Sequence, residues 1–239
     1  MSEKKVFQAS AEAKGKAKQF RLFAFLAWLL AMVGQGFAIY KLIYEGLLAR
    51  LTEDNTLLIT FVIVIIVILA LAITGSTLWK KANRLDPASE KNKVKFFFQN
   101  QLGAIMNVLA FLPLVILIFM NKDADKKTKG IAGSIAVVAL LIAGISGVDF
   151  APPSIEKYTE EINAQTEVVK SLNHDQDNVY WTRAGNRYHI FKDCQHIVGR
   201  DEINNGTTKE SWEEKGISEL CKTCESRAKR NLETEITNP

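Results

Sequence analysis

Residues 22–40, 57–79, 102–120 and 131–148 contain no Asp, Glu, Lys or Arg. A helix needs about 20 mostly apolar residues to cross a hydrocarbon layer about 30 Å thick. One such run could be a buried core helix. Four of them crowded into the first 150 residues of a 239-residue chain leave no soluble core large enough to hide them all. The expected fold class is therefore an α-helical membrane protein with four transmembrane helices, followed by a small α+β domain.

Orientation follows from Lys and Arg in short flanking segments. The tail 1–21 carries Lys4, Lys5, Lys14, Lys16, Lys18 and Arg21. The second loop carries Lys80, Lys81, Arg84, Lys91, Lys93 and Lys95, whereas the first loop, 41–56, has only Lys41 and Arg50. That places the N-terminus and the second loop in the cytoplasm, and an even number of spans returns the C-terminus there. The third loop, 121–130, dissents with four lysines, offset by Asp123 and Asp125. The expectation is a multi-pass protein of the cell (inner or plasma) membrane with both termini cytoplasmic. The long charged tract 1–21 is not the n-region of a cleavable signal peptide.

Polar groups inside the spans are few. Gln35 and Asn107 are expected to hydrogen-bond between helices, and Pro113 to kink the third span. Ala139, Ala143 and Gly147 recur every four residues, a small-residue stripe that lets helices approach closely. No charge lies at mid-depth, where a solute path would place one.

Beyond Pro152 and Pro153 the pattern changes. Residues 149–178 read as a helical linker, with Ile155, Ile162 and Val169 in one heptad row and Tyr158, Gln165 and Leu172 in its companion. The repeat is too short for a coiled coil, so the linker is an amphipathic connector or a short self-associating stalk. Residues 179–239 form the small domain. Residues 179–182 and 187–191 are β-rich around Ala184-Gly185-Asn186, a hairpin pattern. Asp193 is placed to cap a turn carrying Cys194. Thr207 and Glu210 suit a capping box, Gly216 a helix end, and a further helix follows Cys224.

All three cysteines of the chain lie in this segment. An odd number in one polar stretch does not suggest a disulfide framework. Cys221 and Cys224 form a C-x-x-C pair, and His189 stands five residues before Cys194. Three thiolates and one imidazole are the donor set of a closed tetrahedral Zn²⁺ site. His189, Cys194, Cys221 and Cys224 are therefore the expected ligands of a structural zinc. His196 is the rival imidazole, and His174 lies in a solvated turn. A domain of this size has too little core to be secure without a metal.

The run VYWTRAGNRYHIFKDCQHI, a Thr-initiated helix, a Gly and then LCKTC resemble a recurrent bacterial module found on secreted nucleases and on membrane proteins. That module is similar to the zinc domain of the Ada DNA-repair protein. The resemblance covers 179–230 and matches at Tyr188, His189, Cys194, Cys221 and Cys224. It implies zinc binding. It does not carry over methyl transfer, because His189 stands where the Ada domain has a cysteine.

The donor set has no open position and no general base beside it, so no catalytic residue is expected and the chain is read as a non-enzyme. The expected role is partner docking or oligomeric assembly through a cytosolic zinc module. The expected partners are the lipid bilayer, a protein of unspecified kind, and a second copy of the chain. Two alternatives remain: an oligomeric channel or transporter with a zinc-bearing sensor domain, and a membrane-bound nucleic-acid sensor or effector. For the latter, Lys222, Arg227, Lys229 and Arg230 are diluted by Glu213, Glu214, Glu225 and Glu233, so nucleic acid is not the expected ligand.

Overall fold

The computed structural model describes residues 6–237 and is mostly helical, with one two-stranded sheet among the described residues. Lys4 and Lys5 of the expected basic tail, and residues 238–239 of the expected C-terminal domain, lie outside them. The chain divides into two units. One comprises 17–84 and 94–152. The other gathers three separate stretches, 1–16, 85–93 and 153–239.

The first unit is built on α1 (Ala11–Ile39), α2 (Asn55–Leu85), α3 (Lys93–Met120) and α4 (Lys126–Gly147), each long and apolar enough to cross a membrane. Every one extends beyond its charge-free run. Lys14, Lys16, Lys18 and Arg21 ride on α1 rather than in an extended tail, and α2 continues through Lys80, Lys81 and Arg84. Backbone hydrogen bonding does not stop where hydrocarbon stops, so absence of charge marks only the part of each helix in the apolar layer. Pro113 sits inside α3, which continues helical on both sides of it.

The outer faces of these helices are apolar. Leu22, Leu29, Val33 and Phe37 on α1 and Ile59, Ile63 and Ile66 on α2 are exposed. In water this would be a continuous sticky surface, whereas in lipid it is the ordinary state of a spanning helix. The inner faces use small residues and a few amides. Trp28 packs against Gly75, where a Cβ would come 2.6 Å from the indole. Ala132, Ala136, Ala139, Ala143 and Gly147 are all buried along α4. Gly147 backs onto α3 so closely that a Cβ would come 2.6 Å from Ala104 Cα. The small-residue stripe is thus used within the chain.

Asn107 donates to the Ala143 carbonyl (2.6 Å) and accepts from the Ser76 hydroxyl (2.9 Å). It stitches α3 to both neighbours. Gln35 does not do the same: it is buried, but its Nε2 has no partner among the described residues. Lys80 donates to the carbonyls of Ser146 (2.7 Å) and Val148 (3.3 Å), placing a cation on the free carbonyls at the end of α4.

In the second unit, α5 (Ile155–Leu172) begins with Ser154 accepting from the Lys157 N–H and buries Ile162, Thr166, Val169 and Leu172. The heptad face is therefore occupied inside the chain, against the core of this unit. Strand β1 (Val179–Thr182) pairs antiparallel with β2 (Ile203–Gly206), Val179 opposite Gly206 and Thr182 opposite Ile203. The expected hairpin partner, 187–191, contributes only a Tyr180–His189 bridge. The chain cannot extend that ladder because it turns at once to deliver Cys194. Helix α6 (Thr208–Lys215) has the expected capping box of Thr207 and Glu210, and Gly216 ends it in the left-handed region at φ 67°. Helix α7 is Lys222–Thr237.

The N-terminal stretch belongs to this unit through Phe7. Its ring is 4% exposed, edge-on to Tyr158 at 5.1 Å and clustered with Trp212, and its N–H donates to Thr159 Oγ1 (3.0 Å). The second loop joins through Glu156, which accepts from Ser89 and from the Glu90 N–H. The N-terminal stretch, the second loop and the C-terminal region are therefore parts of one unit.

Gly147→Leu is expected to destabilise the helical unit by about 1–3 kcal/mol through overpacking against Ala104. Gly144→Leu, whose Cβ meets nothing within 4 Å, should melt like the wild type in the same detergent. Equal melting temperatures for the two variants would contradict the α3–α4 contact.

Candidate metal centre

Tyr188 and His189 are held between two backbone partners. His189 exchanges two hydrogen bonds with Tyr180, each 2.7 Å. On the other edge, the Tyr188 N–H donates to the Glu219 carbonyl (3.0 Å) and the Cys221 N–H donates to the Tyr188 carbonyl (2.9 Å). This double pinning carries His189 and Cys221 to the same place from 32 residues apart in sequence. Tyr188 is fully buried, and its hydroxyl donates to Gln165 on α5 (2.7 Å).

Cys194 sits in a tight turn whose Ile197 and Val198 N–H groups donate to its carbonyl (2.9 and 2.8 Å). Asp193 does not cap this turn through its side chain. Its carboxylate instead receives both hydrogen bonds from Arg227 Nη1 on α7 (2.9 and 3.0 Å), and the guanidinium lies 4.3 Å above the Phe191 ring. The turn is thus clamped to α7. Cys221 immediately precedes α7 and Cys224 lies in its first turn.

The outcome is a cluster of four buried side chains, His189, Cys194, Cys221 and Cys224, whose ligand atoms all lie within 4.8 Å of one another. Cys224 Sγ is 3.6 Å from His189 Nδ1. Such a group could hold a metal ion. His196 stays outside it: its ring is 6.4 Å from that of His189, and its Nε2 is 3.1 Å from Thr223 Oγ1. His174 is exposed in the turn after α5, 3.8 Å from Glu235.

Electrostatics show why these groups suit a cation. Burial pushes the Cys224 thiol up to about 12, helped by the neighbouring Cys194 and opposed by the amides of Phe191 and Ile190. Burial also pushes Cys221 up, but the amides of Cys224 and Thr223 and the side chains of Cys194 and Thr223 outweigh it, and the net shift is down. Burial, then His196, lowers His189, keeping its imidazole neutral. A buried thiolate needs a positive partner, and a metal ion supplies it to all three sulfurs at once.

Sequence reading missed the Asp193–Arg227–Phe191 clamp and Tyr188–Gln165. Neither pairing has a local spacing signature. No protein-family model, no curated protein and no solved structure matches this chain.

Arg227→Ala is expected to weaken metal retention by about tenfold, the scale at which supporting groups act on ligands. Lys229→Ala, which removes only an exposed pair with Glu225, should have no effect. Competition with a calibrated chelator reads both. Acid should release metal, because binding needs thiolates and a neutral imidazole. The metal-free fold has the same sign. His189 is depressed below its ordinary 6.5, so the unfolded chain binds more protons and stability falls as pH drops below that value. Metal content and melting temperature should decline together between about pH 7 and about pH 5.

Proposed function

We propose that the chain is a multi-pass membrane protein carrying a structural Cys₃His zinc module that docks a partner or assembles the protein. The buried set of His189, Cys194, Cys221 and Cys224 carries this reading. Tetrahedral Zn²⁺ with Zn–S bonds of about 2.3 Å and a Zn–N bond of 2.0–2.1 Å separates nitrogen from sulfur by about 3.6 Å. The His189–Cys224 separation is 3.6 Å. Four protein donors complete that geometry and leave no position for water or substrate, which supports a non-enzymatic role. The resemblance to the Ada-type module rests on the same ligands and on Tyr188, which the fold buries beside them.

The zinc supplies what a small core lacks. Around it, Val179, Trp181, Ile190, Ile197 and Leu220 form a compact cluster. Reduced thiolates suit the cytosol, as do the basic residues Lys80, Lys81, Arg84 and Lys95 that flank the 85–93 stretch of this unit. The module then presents α5, α6 and α7 to cytosolic partners or to a second copy.

Replacing the metal with Co²⁺ in the full-length protein tests the closed set. A tetrahedral S₃N spectrum without exchangeable water is expected, and Cys221→Ser should abolish it while leaving the four long helices folded. Bound solvent on the wild-type metal, with hydrolytic turnover lost in His189→Ala, would overturn the non-enzymatic reading. Orientation has its own test. A thiol introduced by Asn55→Cys should react with an impermeant reagent added to intact cells, and one introduced by Lys91→Cys should not; the reverse pattern would move the module out of the cytosol.

A further inference from the structure

At the end of the helical unit opposite Lys80, the chain between α1 and α2 departs from α-helical geometry. Tyr40–Tyr44 form a π-helical turn, Gly46 adopts φ 71°, and Leu47–Arg50 form a 3-10 turn. These turns, the last residues of α1 and the first turns of α2 leave a crevice of about 220 Å³. Phe37, Leu42, Leu51, Leu57, Phe61 and Val64 wall it. The Thr60 hydroxyl at its edge already donates to the Thr56 carbonyl (2.8 Å). The lining is almost wholly apolar, so the crevice suits hydrocarbon better than a polar solute.

The rim differs. Tyr40 and Tyr44 stack with centroids 6.2 Å apart and are exposed, as expected of aromatic rings at the lipid–water boundary. Lys41, which also lines the crevice, binds both carboxylate oxygens of Glu45 at 2.8 and 2.9 Å. The mouth therefore presents one positive group with one negative group paired to it, a net charge of zero.

We propose that this crevice is a specific site for a zwitterionic phospholipid, with one acyl chain among Phe37, Leu51 and Phe61, the phosphate beside Lys41 and the headgroup ammonium beside Glu45. The apolar wall selects hydrocarbon. The paired rim selects the headgroup: an anionic lipid would meet Lys41 but also an uncompensated Glu45, whereas a zwitterion satisfies both. A soluble protein partner would find no hydrogen-bonding group within the crevice.

The test uses the full-length protein in detergent, incubated with phosphatidylethanolamine and phosphatidylglycerol of equal chain length and read by native mass spectrometry. One retained phosphatidylethanolamine is expected, with phosphatidylglycerol displaced first on activation. Thr60→Trp, at an exposed position on the edge, should fill the mouth and lose the lipid-bound peak while melting as the wild type does. Glu45→Gln should retain lipid but shift preference toward phosphatidylglycerol. Absence of any retained lipid, undiminished retention in Thr60→Trp, or equal retention of both lipids by the wild type would overturn the proposal.

Discussion

A peptide group in hydrocarbon has no water to bond, so every N–H and C=O there must find a partner in the protein. Much of the first unit follows from this. The helices run without interruption through their apolar windows, and most of their polar side chains find a partner, in each other or in backbone carbonyls. Asn107 is the clearest case, serving α2 and α4 from one position on α3. Lys80 does the same at the end of α4, where the last carbonyls would otherwise be unpaired. Because lipid gives helices little reason to associate, contact has to come from closeness, and Gly75, Gly103 and Gly147 supply it.

The second unit answers a different shortage. Among the described residues it has two short strands and three helices, and the larger of its two buried clusters, with Val179, Trp181 and Tyr188, includes all three cysteines. Removing water from thiols without adding a cation leaves them neutral and unrewarded, whereas a metal turns the same burial into binding energy. The backbone brings these side chains together directly. Tyr188 and His189 use their amides and carbonyls to gather β1 on one edge and Glu219–Cys221 on the other.

The spans were legible because absence of charge over 18 or more residues is a strong physical signal, and the clustering of His189, Cys194, Cys221 and Cys224 because cysteine and histidine carry their chemistry in their identity. The Thr207–Glu210 box and Gly216 were legible for the same reason: each does its work within a single helical turn. What could not be read was pairing at a distance. β1 chose 203–206 rather than its sequence neighbour, Arg227 found Asp193, and Gln35 found no hydrogen-bond partner for its amide nitrogen among the described residues. The helices also run past the charge-free windows, since charged residues end a membrane window without ending a helix.

Phe7 has a bearing on the order of events in biosynthesis. It precedes the first span, yet its aromatic neighbours Tyr158 and Trp212 follow the fourth. That contact cannot close until the chain has been made through Trp212, so the aromatic cluster is a late event in synthesis. Until then Phe7 is an apolar ring without its aromatic cover on the growing chain.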